Sequence, residues 1–274
     1  MDFDFTLTTL LFLAFVALVA GFVDSIAGGG GMLTIPALYM AGIPPHEALG
    51  TNKFQAVFGS FSAALHFYKN GHLDLAKCAV FVVFAFVFSL CGTLAVQVIN
   101  ADFLRKVIPF LLIFFALYFL FSPKIRQESN KESNKEHNTE GGKLPQNPNA
   151  HSRKSRAKRL VLALTIGGIG FYDGFFGPGT GSFLMLSLIS LGGFGIKDAL
   201  AQAKLYNFAT NLASVLVFLA FGHIIFTLGI AMAAGQFVGA NIGAKLALRY
   251  GITIIKPLVV IVSLAMCVKL LFFE

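Results

Sequence analysis

Gly21-Phe22-Val23-Asp24-Ser25-Ile26-Ala27-Gly28-Gly29-Gly30-Gly31 is the stretch on which the fold turns. It has a partner at Gly170-Phe171-Tyr172-Asp173-Gly174-Phe175-Phe176-Gly177-Pro178-Gly179-Thr180-Gly181-Ser182. Each joins an apolar approach to an acid and then to a run rich in glycine. The match continues outward. Gly28 and Gly30 fall on Gly177 and Gly179, and after a short insertion Ala48-Leu49 and Lys53 fall on Ala199-Leu200 and Lys204. Gly71-His72 falls on Gly222-His223, and Gly92 falls on Gly243. The chain therefore reads as two related copies of one unit. Many membrane carriers are built this way, with the ligand site where the copies meet.

The solvent around these copies is lipid. Of 274 residues, 56% are hydrophobic and only 12% charged, with a mean hydropathy of +0.77. A soluble domain carries about a quarter charged residues. Apolar segments fall at 6–23, 32–42, 54–68, 77–99 and 104–121, then at 160–176, 182–195, 205–221, 225–248 and 254–272. A straight crossing takes roughly 17–25 residues. The second and seventh segments are short for that and read as half-helices or re-entrant segments. The start, Met1-Asp2-Phe3-Asp4, lacks the basic flank of a signal peptide, so 6–23 reads as a retained first span. The expected fold is an all-α polytopic membrane protein of two homologous repeats with four to five hydrophobic segments each. The first repeat takes residues 1–121, a charged linker 122–158, and the second repeat 159–274.

The linker differs in kind. It is polar, carries a near-repeat of Glu-Ser-Asn-Lys, and ends in the basic cluster Arg153-Lys154-Ser155-Arg156-Ala157-Lys158-Arg159. It has little apolar surface to bury, so it is expected to be disordered. The net charge of +8 is concentrated there. In a membrane protein such a bias reports orientation rather than nucleic-acid binding: the basic linker is expected at the cytoplasmic face, against anionic lipid. Five crossings per copy then make the copies inverted and put both termini outside. Lys69, Lys77, Lys197, Arg249 and Lys256 fall inside, and Arg105 and Lys106 run against the scheme. Re-entrant short segments would instead make the copies parallel; the inverted arrangement is the reading taken. Cys78, Cys91 and Cys267 lie in apolar runs without a CxxC pair and read as small buried hydrophobes.

The chemistry concentrates at the glycine loops. Glycine frees the backbone so that several N–H groups can converge, and a helix starting there presents its positive end. That holds an anion at membrane depth, where irregular backbone is tolerated only inside protein or beside a water-filled cavity. Candidate ligand-binding residues are Asp24, Ser25, Gly28, Gly29, Gly30 and Gly31 in the first copy, and Asp173, Gly177, Gly179, Thr180, Gly181 and Ser182 in the second. The alternative is glycine serving close helix packing. Asp24 and Asp173 are carboxylates inside apolar segments, suited to carry a coupling proton or to cap the loop N–H groups. Lys53 and Lys204 begin the third and eighth segments, where they either neutralise an anion or snorkel to the interface. Asn52, Gln55, Ser60, Asn207, Thr210 and Asn211 lie nearby, lining a path or bonding between helices; Asn52 and Asn207 join the candidate set. Gln236, Asn241, Gly239 and Gly243 read as packing or lining residues, and His72 and His223 as turns at the membrane surface. No metal motif or nucleotide loop is present, and no cofactor is expected. An intramembrane enzyme would have to rely on Ser25 beside Asp24, with no suitable His in the same copy.

These residues resemble the TauE/SafE family of membrane permeases, the sulfite exporter family. The likeness is carried by residues 21–31, Pro36, Ala48-Leu49-Gly50-Thr51-Asn52-Lys53 and residues 170–182. It covers nearly everything outside the linker, which is longer here than in many relatives. The resemblance implies a bacterial inner-membrane permease for small anions, often sulfur-containing ones such as sulfite or sulfonates. By position, Asp24, Lys53, Asp173 and Lys204 match the family's repeated polar positions. The expected partners are a small anionic substrate, membrane lipid and a coupling proton, with a homo-oligomer left open. The rival class is an anion channel or a non-transporting receptor.

Overall fold

The computed structural model describes residues 5–121 and 153–250. The described residues form nine α-helices: α1 (Leu7–Ala27), α2 (Gly31–Met40), α3 (Pro45–Lys69), α4 (Leu75–Gln97), α5 (Ala101–Phe121), α6 (Arg153–Phe175), α7 (Thr180–Ser190), α8 (Ile196–Ala220) and α9 (Phe226–Tyr250). The expected segment 254–272 and linker residues 122–152 lie outside the described residues. The basic cluster from Arg153 opens α6, where a disordered linker was expected to run on to residue 158.

Large apolar side chains face outward, and polar and charged ones are buried among the apolar clusters of the interior. Leu7, Phe15, Val80, Val83, Phe110, Ile230 and Ile242 are exposed, while Asn52, Lys53, Asp173, Lys204 and Asn211 are buried. That arrangement suits a lipid solvent, which offers backbone and polar side chains no hydrogen bonds. Helices α1, α4, α8 and α9 are each long and apolar enough to cross a membrane. Helix α3 is as long as α8 but is not among those spans, because its many polar residues make it less apolar. Helices α2 and α7 have 10 and 11 residues. At 1.5 Å per residue each is about half the hydrocarbon thickness, so neither crosses as a straight helix.

The central helices α3 and α8 start well before their apolar segments. Helices α3 and α8 begin at Pro45 and Ile196, about two turns before Lys53 and Lys204. The lysines therefore do not start their helices and do not snorkel: Lys53 is 2% exposed and Lys204 is 0% exposed. A hydropathy reading stops at the polar residues 51–53, but the helix continues because those side chains are buried against protein.

The two parts of the chain interleave. Helix α1 packs on α9, and α6 packs on α4. Helix α3 packs on α9, α8 packs on α4, and α3 and α8 lie against each other at the centre. Small residues set the closest of these contacts. Gly235, Gly239 and Gly243 form a stripe on α9, and a Cβ on each would overlap the α1 carbonyls of Ala14, Leu18 and Phe22 in turn. Helices in lipid gain mainly from such close approach, since lipid tails supply little hydrophobic drive.

Candidate functional site

Glycine follows the ends of both α1 and α6. Gly28 takes a left-handed φ of 75°, and its N–H returns to the Asp24 carbonyl at 2.8 Å. Gly31 then opens α2. Helix α6 gives way to Gly177 and Gly179, at φ 97° and 82°, before Thr180 opens α7. The two crossovers touch each other. A Cβ on Gly28 would overlap the backbone of Gly181 and Ser182, and the Ser182 hydroxyl donates to the Ala27 carbonyl.

Beside this junction stand two buried ion pairs, each made across the chain. Lys53 Nζ lies 2.9 Å from Asp173 Oδ1, and Lys204 Nζ lies 2.7 Å from Asp24 Oδ2. So each central helix sends its lysine to the acid of the crossover in the other part of the chain. Lys53 also donates to Asn211 Oδ1 at 3.2 Å, and Thr180 donates its hydroxyl to Asp173 Oδ1 at 2.8 Å. Asp24 does two things at once. Its Oδ2 holds Lys204, while its Oδ1 accepts the Gly30 N–H at 3.2 Å, so it caps its own glycine loop. Both ammonium groups rest on glycines of the second crossover. A Cβ on Gly177 would stand 2.8 Å from Lys53 Nζ, and one on Gly181 would stand 3.2 Å from Lys204 Nζ.

Between these groups lies a polar cavity. The first crossover lines it with Asp24, Gly28, Gly30 and Gly31, and the second with Asp173, Gly177, Gly179, Thr180 and Gly181. The central helices add Asn52, Lys53, Gln55, Asn207 and Asn211, and α9 adds Gln236. Asn52 Oδ1 accepts from the Thr34 hydroxyl at 2.5 Å and from Gln55 Nε2 at 3.1 Å, which ties α2 to α3 at the cavity wall.

Four of the expected residues sit elsewhere. Ser25 is buried, and its hydroxyl donates toward the carbonyls of Gly21 and Ala240, which commits it to the α1–α9 contact. Its bonds leave it no part in a nucleophile pair with Asp24. Gly29 lies in the first crossover off the cavity wall, and Ser182 serves the contact between crossovers. Lys204 stands behind Asp24 rather than on the wall. Gln55, Asn211 and Gln236 do line the cavity. Sequence showed them as polar residues near the site or within α9, but not which way they face.

The arrangement restricts the chemistry. Four charges in low dielectric cancel as two pairs, and losing one partner of such a pair strands the other at a cost of about 3–5 kcal/mol. Among the described residues no group of three His, Cys, Asp or Glu is placed to hold a metal ion. A small polar or charged solute is what such a cavity can hold.

A family model described as sulfite exporter TauE/SafE matches residues 13–270. A probable membrane transporter protein of Sinorhizobium is 43% identical over 271 residues, covering 98% of this chain and 94% of its own. One of Haemophilus influenzae is 42% identical over 273 residues, covering 99% and 97%. One of Escherichia coli K12 is 43% identical over 261 residues, covering 95% and 88%. No solved structure matches the chain.

Proposed function

The chain belongs to the sulfite exporter TauE/SafE family of membrane transporters, and from that premise we propose that it is a secondary carrier of a small anion such as sulfite or a sulfonate. The observation that carries this reading is the pair of cross-chain Lys–Asp bridges beside the junction of two broken helices. The half-helices α2 and α7 begin at the cavity, so their positive ends and glycine N–H groups favour an anionic group there. The lysines attract it as well, though each is already held by an acid.

That last point bears on coupling. The buried charges sum to zero, so an anion arriving alone would leave the cavity negative. A proton on Asp24 or Asp173 restores the balance and frees the paired lysine for the anion. Anion and proton would then move together.

We also read the two parts of the chain, residues 1–121 and 159–274, as repeats of one unit. Matching helices support this: α1 and α6 have 21 and 23 residues, α2 and α7 have 10 and 11, and α3 and α8 have 25 each. Exchanging the copies also exchanges the contacts α1–α9 and α6–α4. Movement of one part of the bundle against the other would expose the cavity to either side in turn. Placement in the cell's inner membrane belongs to the same proposal.

The test is flux of labelled sulfite into liposomes holding the purified protein, with and without a proton gradient. The expected result is saturable, gradient-responsive flux that Lys53→Met and Lys204→Met sharply reduce. Non-saturating flux indifferent to the gradient would favour a channel. No sulfite flux from folded protein would drop sulfite and turn the assay to sulfonates and carboxylates. Normal flux in both lysine variants would remove these pairs from the mechanism.

A further inference from the structure

Three acceptor oxygens at the cavity have no hydrogen-bond donor: Gln55 Oε1, Asp173 Oδ2 and Gln236 Oε1. Their residues are 1%, 2% and 2% exposed, so bulk water does not answer for them. Five buried side-chain polar atoms lack a partner among the described residues, and three of the five belong to residues lining this cavity. Buried polar groups in native proteins are nearly always bonded, and a cluster of exceptions calls for a cause.

The exceptions do not come from loose side chains. The Gln55 amide donates its Nε2 to Asn52 Oδ1 at 3.1 Å, which leaves Oε1 as the free end. Asp173 is anchored through its other oxygen by Lys53 and Thr180. Gln236 is held by shape, since a Cβ on Gly59 would overlap its Cγ. Asp24 shows the contrast: one oxygen takes the Gly30 N–H and the other takes Lys204. So Asp24 is saturated, while Gln55, Asp173 and Gln236 bring unpartnered acceptors from α3, α6 and α9.

We infer that the solute carries hydrogen-bond donors of its own, hydroxyl or amino groups, which Gln55, Gln236 and the free oxygen of Asp173 receive while Lys53 meets its anionic group. The inference rests on the anion-site reading above and narrows it to small hydroxylated or aminated organic anions. A site built to bond a donor rejects an analogue that lacks it, because its buried acceptors are then left unpaired.

The test compares anions matched in charge and nearly in size. Affinities of purified protein are measured by calorimetry for ethanesulfonate against 2-hydroxyethanesulfonate, and for propionate against 3-hydroxypropionate. The hydroxylated member of each pair is expected to bind about tenfold tighter or more. Gln55→Leu and Gln236→Leu are expected to bring that ratio toward one. Binding of the plain anion shows that a variant is folded, and the wild-type ratio decides the matter even if one variant is not. Equal affinity within each pair gives the acceptors to water and overturns the inference, leaving the anion site standing. Binding that requires sodium and ignores the hydroxyl gives them to a metal cation and overturns it equally. No binding by any of the four overturns the anion reading and this inference together.

Discussion

Two residue-level contrasts carry the most information. The first is Lys53 with Asp173, buried at 2.9 Å. Lys53→Met or Asp173→Leu alone leaves an uncompensated charge and should cost about 3–5 kcal/mol. The double variant removes both charges and should recover most of that stability without recovering transport. Thermal unfolding in detergent and liposome flux, read as a double-mutant cycle, check both halves of the statement. The second contrast is Gly28 with Gly42. Their φ angles are nearly equal, 75° and 76°. A Cβ on Gly28 would strike the other crossover, whereas one on Gly42 meets nothing within 4 Å. Gly42→Ala should therefore cost only the left-handed backbone penalty, roughly 1–2 kcal/mol. Gly28→Ala adds overpacking, about 1–3 kcal/mol more, at the junction itself. Equal losses of melting temperature in the two variants would show that the crossovers do not touch.

At the scale of elements, α9 has two faces with opposite tolerance. Its glycine stripe lies against α1 backbone, while Phe237, Val238 and Ile242 are exposed. Gly239→Val puts two methyl groups where the Leu18 carbonyl stands, so α1 must move away and the folded fraction should fall. Val238→Leu changes only a lipid-facing surface and should shift stability by no more than about 0.5 kcal/mol. Fluorescence-detected size exclusion of the two variants separates these outcomes. The half-helices were legible from length alone, since a short apolar run after four glycines cannot span. The starts of α3 and α8 were not legible. Polarity at residues 44–53 looks like a helix end in sequence, and only burial against neighbouring helices turns it into helix interior.

For the whole molecule, interleaving has a consequence for assembly. Helix α1 buries its inner face on α9, and α6 buries its own on α4. Neither part can cover its first helix alone. A chain cut between residues 121 and 153 should yield two pieces that degrade when expressed singly and copurify when expressed together; a stable, monodisperse 1–121 piece would contradict the packing. Sequence by itself determined the lipid environment and the repeated Asp-glycine loops, because each depends on composition or spacing along the chain. It also supplied Lys53, Lys204, Asp24 and Asp173 as candidates. Only the tertiary structure decided that each lysine faces the acid in the other part of the chain, that Ser25 serves packing, and that Gln236 reaches the cavity. Those outcomes depend on which helix faces which across the bundle, and spacing along one chain does not encode a distance between its ends.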